Sequence, residues 1–322
     1  MRLIIRLAIG AAVFVLASMA PAWAAYPDKP IRILVGFPAG SAGDLLARSV
    51  GQKLGERLGQ PVLVENRTGA GSSIAAEAVA KAPADGYTLL LSTSANVINQ
   101  SVSSNLKFDF TRDLAPVMLI GENPVVLIGV ASTAPRSIAA LVARAKALPD
   151  RMTYASSGNG TFTHLYGELF KLTTGVKITH VPYRGSVPAM TDLLAGVVDL
   201  SFTPVTPVMA HIKSGRLKAL AVIGKSRMAA LPEVPTFAEA GIPGFDSALW
   251  FGLSAPAGTP PAVIDQLNTE LRLVLKMPDV KSQLDMQGIT IVADGPAKFR
   301  QLIAREHGQW TRIVKAADIK AE

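Results

Sequence analysis

Two stretches of this chain carry donor groups at the spacing that binding an anion asks for. Gly36-Phe37-Pro38-Ala39-Gly40-Ser41-Ala42-Gly43 follows the apolar run Ile31, Ile33, Leu34, Val35; Asp44 then opens Leu45-Leu46-Ala47-Arg48, with Val50, Leu54 and Leu58 at helical spacing. A strand, a glycine loop and a helix start leave backbone N–H groups unpaired. The helix dipole adds to them, so an anion is favoured above the loop. The loop is not G-x-G-x-x-G and has no Gly-Lys-Ser/Thr, so nucleotide phosphate is not indicated. The same order of residue types returns about a hundred residues on, where the strand at 153–156 runs into the loop Ser156-Ser157-Gly158-Asn159-Gly160-Thr161-Phe162-Thr163-His164 ahead of the helix at 165–170. One such loop is an ordinary strand-to-helix turn. Two of them suggest two lobes facing each other across a cleft.

The side chains in and near these loops admit more than one use. Asp44 either caps its own helix or meets an amino or hydroxyl group of a ligand. Ser157, Asn159 and Thr161 either donate to a carboxylate or cap the helix that follows. Arg184, in Pro182-Tyr183-Arg184-Gly185-Ser186, either pairs a second ligand carboxylate or is a solvated surface residue. Ser92 ends a third apolar strand, and Thr203 follows the strand at 197–202, so both place polar groups at strand ends. Trp250 and Phe251 either line the cleft or pack in the core. Amides with no fixed counter-cation bind a carboxylate reversibly, and lobe closure removes it from bulk water, where each hydrogen bond counts for more.

Enzyme chemistry has thinner support. His164 and Glu168 sit at i, i+4 and could share a metal, but no HExxH completes the set and His180, His211 and His307 are scattered. G-x-S-x-G does not occur, and nothing orients His164 toward Ser156 or Ser157 as a dyad. No catalytic residue, metal ligand or cofactor is expected; the alternative is a secreted hydrolase or metal-dependent enzyme of α/β fold acting on a small acid. The formal charge of +8 (32 Lys and Arg against 24 Asp and Glu) is spread along the chain and aromatics are only 6%, so neither the basic stripe nor the stacking platform of a nucleic-acid binder is present. A modest basic excess does help attract anionic small molecules.

The elements that position these loops follow from the rest of the chain. Arg2, Arg6, the apolar residues 7–19 and Ala22-Trp23-Ala24 read as a cleavable export signal, residues 1–24, with the mature chain starting at Ala25 in the periplasm. The chain has no Cys, so stability must come from a core, and 322 − 24 = 298 residues leave room for two domains. A strand at 61–66 leads into Arg67-Thr68-Gly69-Ala70-Gly71-Ser72-Ser73, another glycine loop. A strand at 87–91 ends in Ser92-Thr93-Ser94-Ala95-Asn96, a further polar loop. Strands alternating with helices imply a parallel α/β sheet, with ligands beyond the strand carboxyl ends. The apolar tract 115–131 is broken at Glu122-Asn123-Pro124, which reads as a crossing between lobes. The expected class is therefore α/β, a two-lobed flytrap in which each lobe is a mostly parallel sheet flanked by helices. Residues 25–123 and 224–322 form the first lobe and 124–223 the second, with C-terminal helices at 261–275 and 296–316. A helix-turn-helix is absent and an export signal present, which argues against the effector half of a transcription regulator.

Seven blocks in order resemble one family. Tyr26-Pro27-Asp28-Lys29-Pro30-Ile31-Arg32, Val64-Glu65-Asn66-Arg67-Thr68-Gly69-Ala70-Gly71, Ala84-Asp85-Gly86-Tyr87-Thr88-Leu89, Ser156-Ser157-Gly158-Asn159-Gly160, His180-Val181-Pro182-Tyr183-Arg184-Gly185, Leu231-Pro232-Glu233-Val234-Pro235-Thr236 and Ala238-Glu239-Ala240-Gly241-Ile242-Pro243-Gly244 look like the substrate-binding proteins of tripartite tricarboxylate transporters, the Bug receptors. The resemblance covers essentially the whole mature chain. It implies a periplasmic receptor that closes on a dicarboxylate, amino acid, tricarboxylate or aromatic acid, holding one carboxylate between two glycine loops, partly through ordered water. Carried over, those loops run from Phe37 to Asp44, with Ala39, Gly40, Ser41 and Gly43, and from Ser156 to His164, with Ser157, Gly158, Asn159, Gly160 and Thr161. It further implies delivery to a membrane transporter of the tripartite tricarboxylate type, or sensing; a monomer is expected. The chain departs from the family pattern at one point. Gly40-Ser41-Ala42-Gly43-Asp44 displaces the second glycine and puts Gly43 where a hydroxyl residue is usual, so that one side-chain hydrogen bond is missing or moved to Ser41.

Overall fold

The computed structural model describes residues 26–103 and 105–319; the expected leader, 1–24, lies outside them. The apolar run at the start of the described chain is β1 (Ile31–Val35), the hub of the first sheet. It pairs in parallel with β2 (Val62–Asn66) on one side and β3 (Thr88–Thr93) on the other. The connections are α1 (Ala42–Leu58) and α2 (Ser73–Ala80). After α3 (Ser94–Val102) and the short α4 (Phe110–Asp113) comes β4 (Leu114–Asn123). Pro124 alone then separates β4 from β5 (Val125–Val130), which belongs to the other sheet. Proline has no N–H to give to a ladder, so the pairing breaks there and the chain changes sheet.

The second sheet continues with α5 (Ile138–Ala147), β6 (Thr153–Ser156), α6 (Phe162–Thr174), β7 (Thr179–Pro182), α7 (Ser186–Leu194), β8 (Leu200–Pro204), α8 (Met209–Lys213) and β9 (Leu217–Ile223). The chain returns as β10 (Leu249–Pro256) and ends with α9 (Pro261–Val274), α10 (Pro278–Met286), β11 (Thr290–Asp294) and α11 (Pro296–Ala316). Strand order is β11-β4-β10-β3-β1-β2 in the first sheet and β7-β6-β8-β5-β9 in the second.

Both sheets are mixed rather than mostly parallel. Among the described residues only the β1–β2, β1–β3, β6–β7 and β6–β8 ladders are parallel, and every ladder of β4, β5, β10 and β11 is antiparallel. The physical reason is the double crossing: strands that leave for or arrive from the other lobe enter the sheet without a right-handed βαβ connection to set their direction. The segment after β9 also packs on the second sheet. Phe237 and Phe245 stack on each other at 4.1 Å and pack against Phe202 of β8, and Gly244 and Ser247 then hydrogen-bond to α11 ahead of β10.

One face of the first sheet is covered by α1, α9 and α10 through Leu46, Leu54, Leu267, Leu271 and Leu284. The opposite face packs α2, α3 and α11 in a core continuous with Tyr154, Phe170 and Phe202 of the second lobe. α11 braces the two halves. Its Phe299 meets Trp250 edge-on at 5.1 Å, its Trp310 meets Tyr166 of α6 at 5.3 Å, and its buried Glu306 accepts the Trp250 Nε1–H at 2.8 Å and the Ser247 hydroxyl. Trp250 is thus a core residue with its indole N–H satisfied, and not part of the cleft wall.

Candidate functional site

The carboxyl ends of β1, β3 and β6 converge on one cavity of about 480 Å³ between the two sheets. From the first lobe it is lined by Phe37, by the 3₁₀ turn at Ala70 and Gly71, and by Ser94, Ile98 and Val102 of α3. From the second lobe come Ser157, Asn159, Gly160, Thr161 and Phe162, and Leu249 of β10 closes the wall. The lobes meet closely here: a Cβ on Gly160 (φ +70°) would lie 3.2 Å from Val102 Cγ1. α3 runs along the cavity from Ser94 to Val102, about 12 Å at roughly 1.5 Å per residue.

Local sequence explains how each wall is held. α1 begins at Ala42, two residues ahead of Asp44, because Ser41 is its N-cap and accepts the Asp44 N–H at 3.3 Å. The hydroxyl displaced in this chain's glycine loop is therefore used as a helix cap. Asp44 is buried and fully engaged within its own lobe: Gly40 N–H donates to Oδ2 at 2.9 Å, Asn66 Nδ2 to Oδ1 at 2.8 Å, and Arg48 Nε to Oδ2 at 3.1 Å. Burial alone would raise its carboxyl pKa; the bonds from Arg48, Gly40 and Asn66 outweigh that and hold it below the usual value. Asn66 also donates to the Phe37 carbonyl at 3.0 Å, which fixes the loop's first residue against the cavity. Asn99 of α3 donates to the Ala70 carbonyl at 3.1 Å and thereby pins the 3₁₀ turn.

The second loop rests on a strut of aromatic and charged groups. Gly160 N–H donates to His164 Nδ1 at 3.1 Å, and the His164 ring stacks on His180 with centroids 3.9 Å apart. His180 Nε2 and Ser156 Oγ hydrogen-bond at 2.6 Å, while Tyr154 O–H and Lys171 Nζ donate to Glu168 Oε1 at 2.7 and 2.8 Å. Gly167 is needed for this arrangement, because a Cβ there would overlap the Tyr154 ring at 2.1 Å. Burial lowers the His164 pKa, with Lys171 adding and Glu168 opposing. Burial, and then His164, push His180 down to about 4, so both rings are neutral at pH 7. His164 and Glu168 stand 3.9 Å apart, and no group of three or more metal-ligating side chains occurs among the described residues.

Of the residues singled out from sequence, Phe37, Ser157, Asn159, Gly160 and Thr161 lie on the cavity wall. Ala39 and Gly40 are exposed at the loop tip, with open space around Gly40, and Ser41, Gly43 and Asp44 form the helix start behind the wall. Gly158 is in the second loop, off the wall, and its carbonyl accepts the Thr161 hydroxyl at 2.7 Å. Three further residues lie off the wall. Ser92 is buried and donates to Ser254 Oγ at 2.7 Å across the sheet, His164 is committed to the strut beneath its loop, and Thr203 is buried in β8 opposite Val126. Arg184 is exposed and outside the cavity.

What the sequence reading missed is α3, where it has only a polar loop. The signal was there: Asn96 stands three residues after Thr93 and accepts the Thr93 N–H at 2.8 Å, and Ile98 and Val102 follow at i, i+4.

Two mixed sheets joined by antiparallel crossing strands, with a cavity at the strand ends between them, define a two-lobed solute-binding protein. Over residues 46–319 the chain matches the family described as the tripartite tricarboxylate transporter family receptor, and it belongs to that family. It is 40% identical over 297 residues to Protein BugT of Bordetella pertussis, covering 92% of this chain and 91% of that one. Among solved structures it is similar to R. palustris Rpa4515 with adipate (TM-score 0.75, 34% identity, 92% and 99% of the two chains). It is also similar to MatC of Rhodopseudomonas palustris with bound malate (TM-score 0.73, 29% identity, 90% and 100%).

Proposed function

We propose that this chain is a periplasmic receptor that captures a small carboxylate between its lobes and hands it, chemically unchanged, to a membrane transporter of the tripartite tricarboxylate type or to a sensing partner. The observation that carries this reading is the cavity wall itself, built where strands of two different sheets end and where two helices begin. α6 starts at Phe162 with no side-chain cap, since the Thr161 hydroxyl donates back to Gly158 instead. Its first-turn amides and the positive end of its dipole therefore remain available to an anion, and the start of α3 at Ser94 and Ala95 faces the same space. Adipate in Rpa4515 and malate in MatC support the same ligand class. The wall offers the hydroxyls of Ser73, Ser94, Ser103, Ser157 and Thr161, the amides of Asn99 and Asn159, and backbone groups, which are donors suited to holding a carboxylate. Among the described residues no helix is long and apolar enough to cross a membrane.

The test is a melting-temperature screen of the protein from Ala25 onward against small carboxylic acids, each paired with its amide. A ligand that binds only the folded state raises stability by about 2.7 kcal/mol at a hundred times its Kd. An acid that raises the melting temperature while its amide does not supports carboxylate capture. Equal shifts from acid and amide reject it.

A further inference from the structure

The loop after β6 turns on two glycines of positive φ, Gly158 (+135°) and Gly160 (+70°), and each is anchored from beneath by an imidazole. Gly160 N–H donates directly to His164 Nδ1 at 3.1 Å. Gly158 N–H donates at 3.2 Å to Ser156 Oγ, which is bonded in turn to His180 Nε2 at 2.6 Å. The two rings lie 3.9 Å apart and 7° from parallel, so a charge on one acts on the other. The Gly160 bond needs a lone pair on Nδ1, and an imidazolium has none, since both of its nitrogens carry hydrogen. A proton at Nδ1 would point at the Gly160 N–H and turn an anchor into a repulsion. Little around the pair offsets a positive charge. From α6, Glu168 Oε1 lies 3.9 Å from His164 Nε2, but that oxygen already accepts from Lys171 Nζ and from Tyr154 O–H of β6, whose ring stacks on His180 at 4.9 Å. β8 packs on α6 through Phe202 and has no charged residue. Asp192 of α7 accepts from Tyr183 O–H; on α11, Glu306 accepts from Ser247 and Trp250, and His307 is bonded to Ser101. Burial holds His164 below its ordinary pKa, and burial together with His164 holds His180 at about 4.

Resting on the reading of this loop as part of a carboxylate site, we propose that His164 is a positioning residue whose neutral ring, supported by His180, keeps the loop in its binding form, so that ligand affinity falls on acidification. The residues it holds are those that meet the ligand and the other lobe. Gly160 abuts Val102 across the cleft, and Thr161 leads into the uncapped start of α6. The binding form contains the Gly160 bond and therefore favours the unprotonated ring. By linkage, affinity is complete above the pH at which the ring titrates and is lost below it, at up to about tenfold per pH unit for one coupled proton. A histidine acting as counter-charge to the ligand would give the opposite slope, with tighter binding in acid.

The test has two arms. In the first, NMR of the ligand-free mature protein follows the His164 and His180 ring protons and the Gly160 amide from about pH 7.5 to about pH 4.5, with the melting temperature recorded at each step. The Gly160 amide should titrate together with the His164 ring. In His164→Asn, whose Oδ1 stands where Nδ1 does and takes up no proton, that transition should vanish, and His180, freed of the like charge beside it, should titrate at higher pH. In the second arm, calorimetry over the same range uses adipate, glutamate, citrate and benzoate, one from each acid class. Below the His164 midpoint the parent should lose about tenfold in affinity per pH unit relative to His164→Asn, a ratio in which the acids' own protonation cancels. His164→Leu, which has no acceptor, should bind at least about tenfold more weakly than His164→Asn at pH 7, since one anchoring bond is lost. Parallel affinity profiles for parent and His164→Asn, tighter binding by the parent in acid, or a Gly160 amide that ignores the ring each overturn the inference and leave the carboxylate reading standing. All four acids silent at pH 7 would reject the carboxylate reading, and the inference falls with it. The parent's own NMR titration needs no substitution, so a variant that fails to fold leaves the first arm decisive.

Discussion

Asp44 illustrates how a residue type that suggests ligand chemistry is consumed by local structure. Both of its oxygens are occupied by Gly40, Asn66 and Arg48, and its position next to an anion site is tolerable because its charge is already neutralised inside the lobe. Removing it strands the Gly40 N–H and the Asn66 amide, so Asp44→Ala should lower unfolding free energy by about 1–3 kcal/mol in urea titrations. Its carboxyl is held below its ordinary pKa of 3.8, so this contribution is present above that value and is lost as pH falls through the depressed one. The variant's deficit should accordingly shrink under strongly acidic conditions. His164 follows the same logic. A histidine beside glycines reads as a ligand contact, but its Nδ1 holds the Gly160 amide in place from beneath.

At the scale of elements, the loop after β6 and the helix α11 each carry a testable consequence. Gly160 has φ +70° and stands against Val102 of the opposite lobe, so Gly160→Val meets both left-handed strain, about 1–2 kcal/mol, and a clash across the cleft. Ligand affinity should fall by at least tenfold with only a modest fall in melting temperature; an unchanged Kd would remove this loop from the site. On α11, burial pushes the Glu306 carboxyl up to about 7 despite the bonds from Ser247 and Trp250. A carboxyl raised in the folded state gives stability that is complete below its unfolded value near 4.5 and is lost as pH rises through 7. His180, pushed down to about 4, works the other way: its contribution is complete above 6.5 and lost as pH falls toward 4. The two slopes oppose each other between pH 4.5 and 6.5. Glu306→Gln should therefore remove the loss above pH 6 and expose the histidine slope, so that its melting temperature falls more steeply than the parent's on acidification from pH 6.5 to 5. Parallel pH profiles for parent and variant would show that Glu306 is not titrating in this range.

At the scale of the whole molecule, the sequence by itself determined the class of fold, the crossing at Pro124 and the family. Those depend on local information: apolar strands ended by Gly, Ser and Asn, glycine loops that open helices, a proline that cannot join a ladder, and seven ordered blocks. Phe37 and four residues of the loop after β6 lie on the cavity wall because both loops sit at a strand's carboxyl end. Tertiary structure decided the rest. Strand direction in β4, β5, β10 and β11 depends on which lobe the chain comes from, which no local pattern encodes. The packing of the segment after β9 on the second sheet depends on Phe237 and Phe245 finding Phe202, a contact between segments more than thirty residues apart. Ser92, His164 and Thr203 have the residue types of a site, but their side chains face other protein atoms. Ile98, Val102, Leu106 and Leu249 look like core residues, yet they shape the cavity. Polarity is a property of a residue, whereas exposure to the cleft belongs to the packing of two lobes, and only the assembled fold determines it.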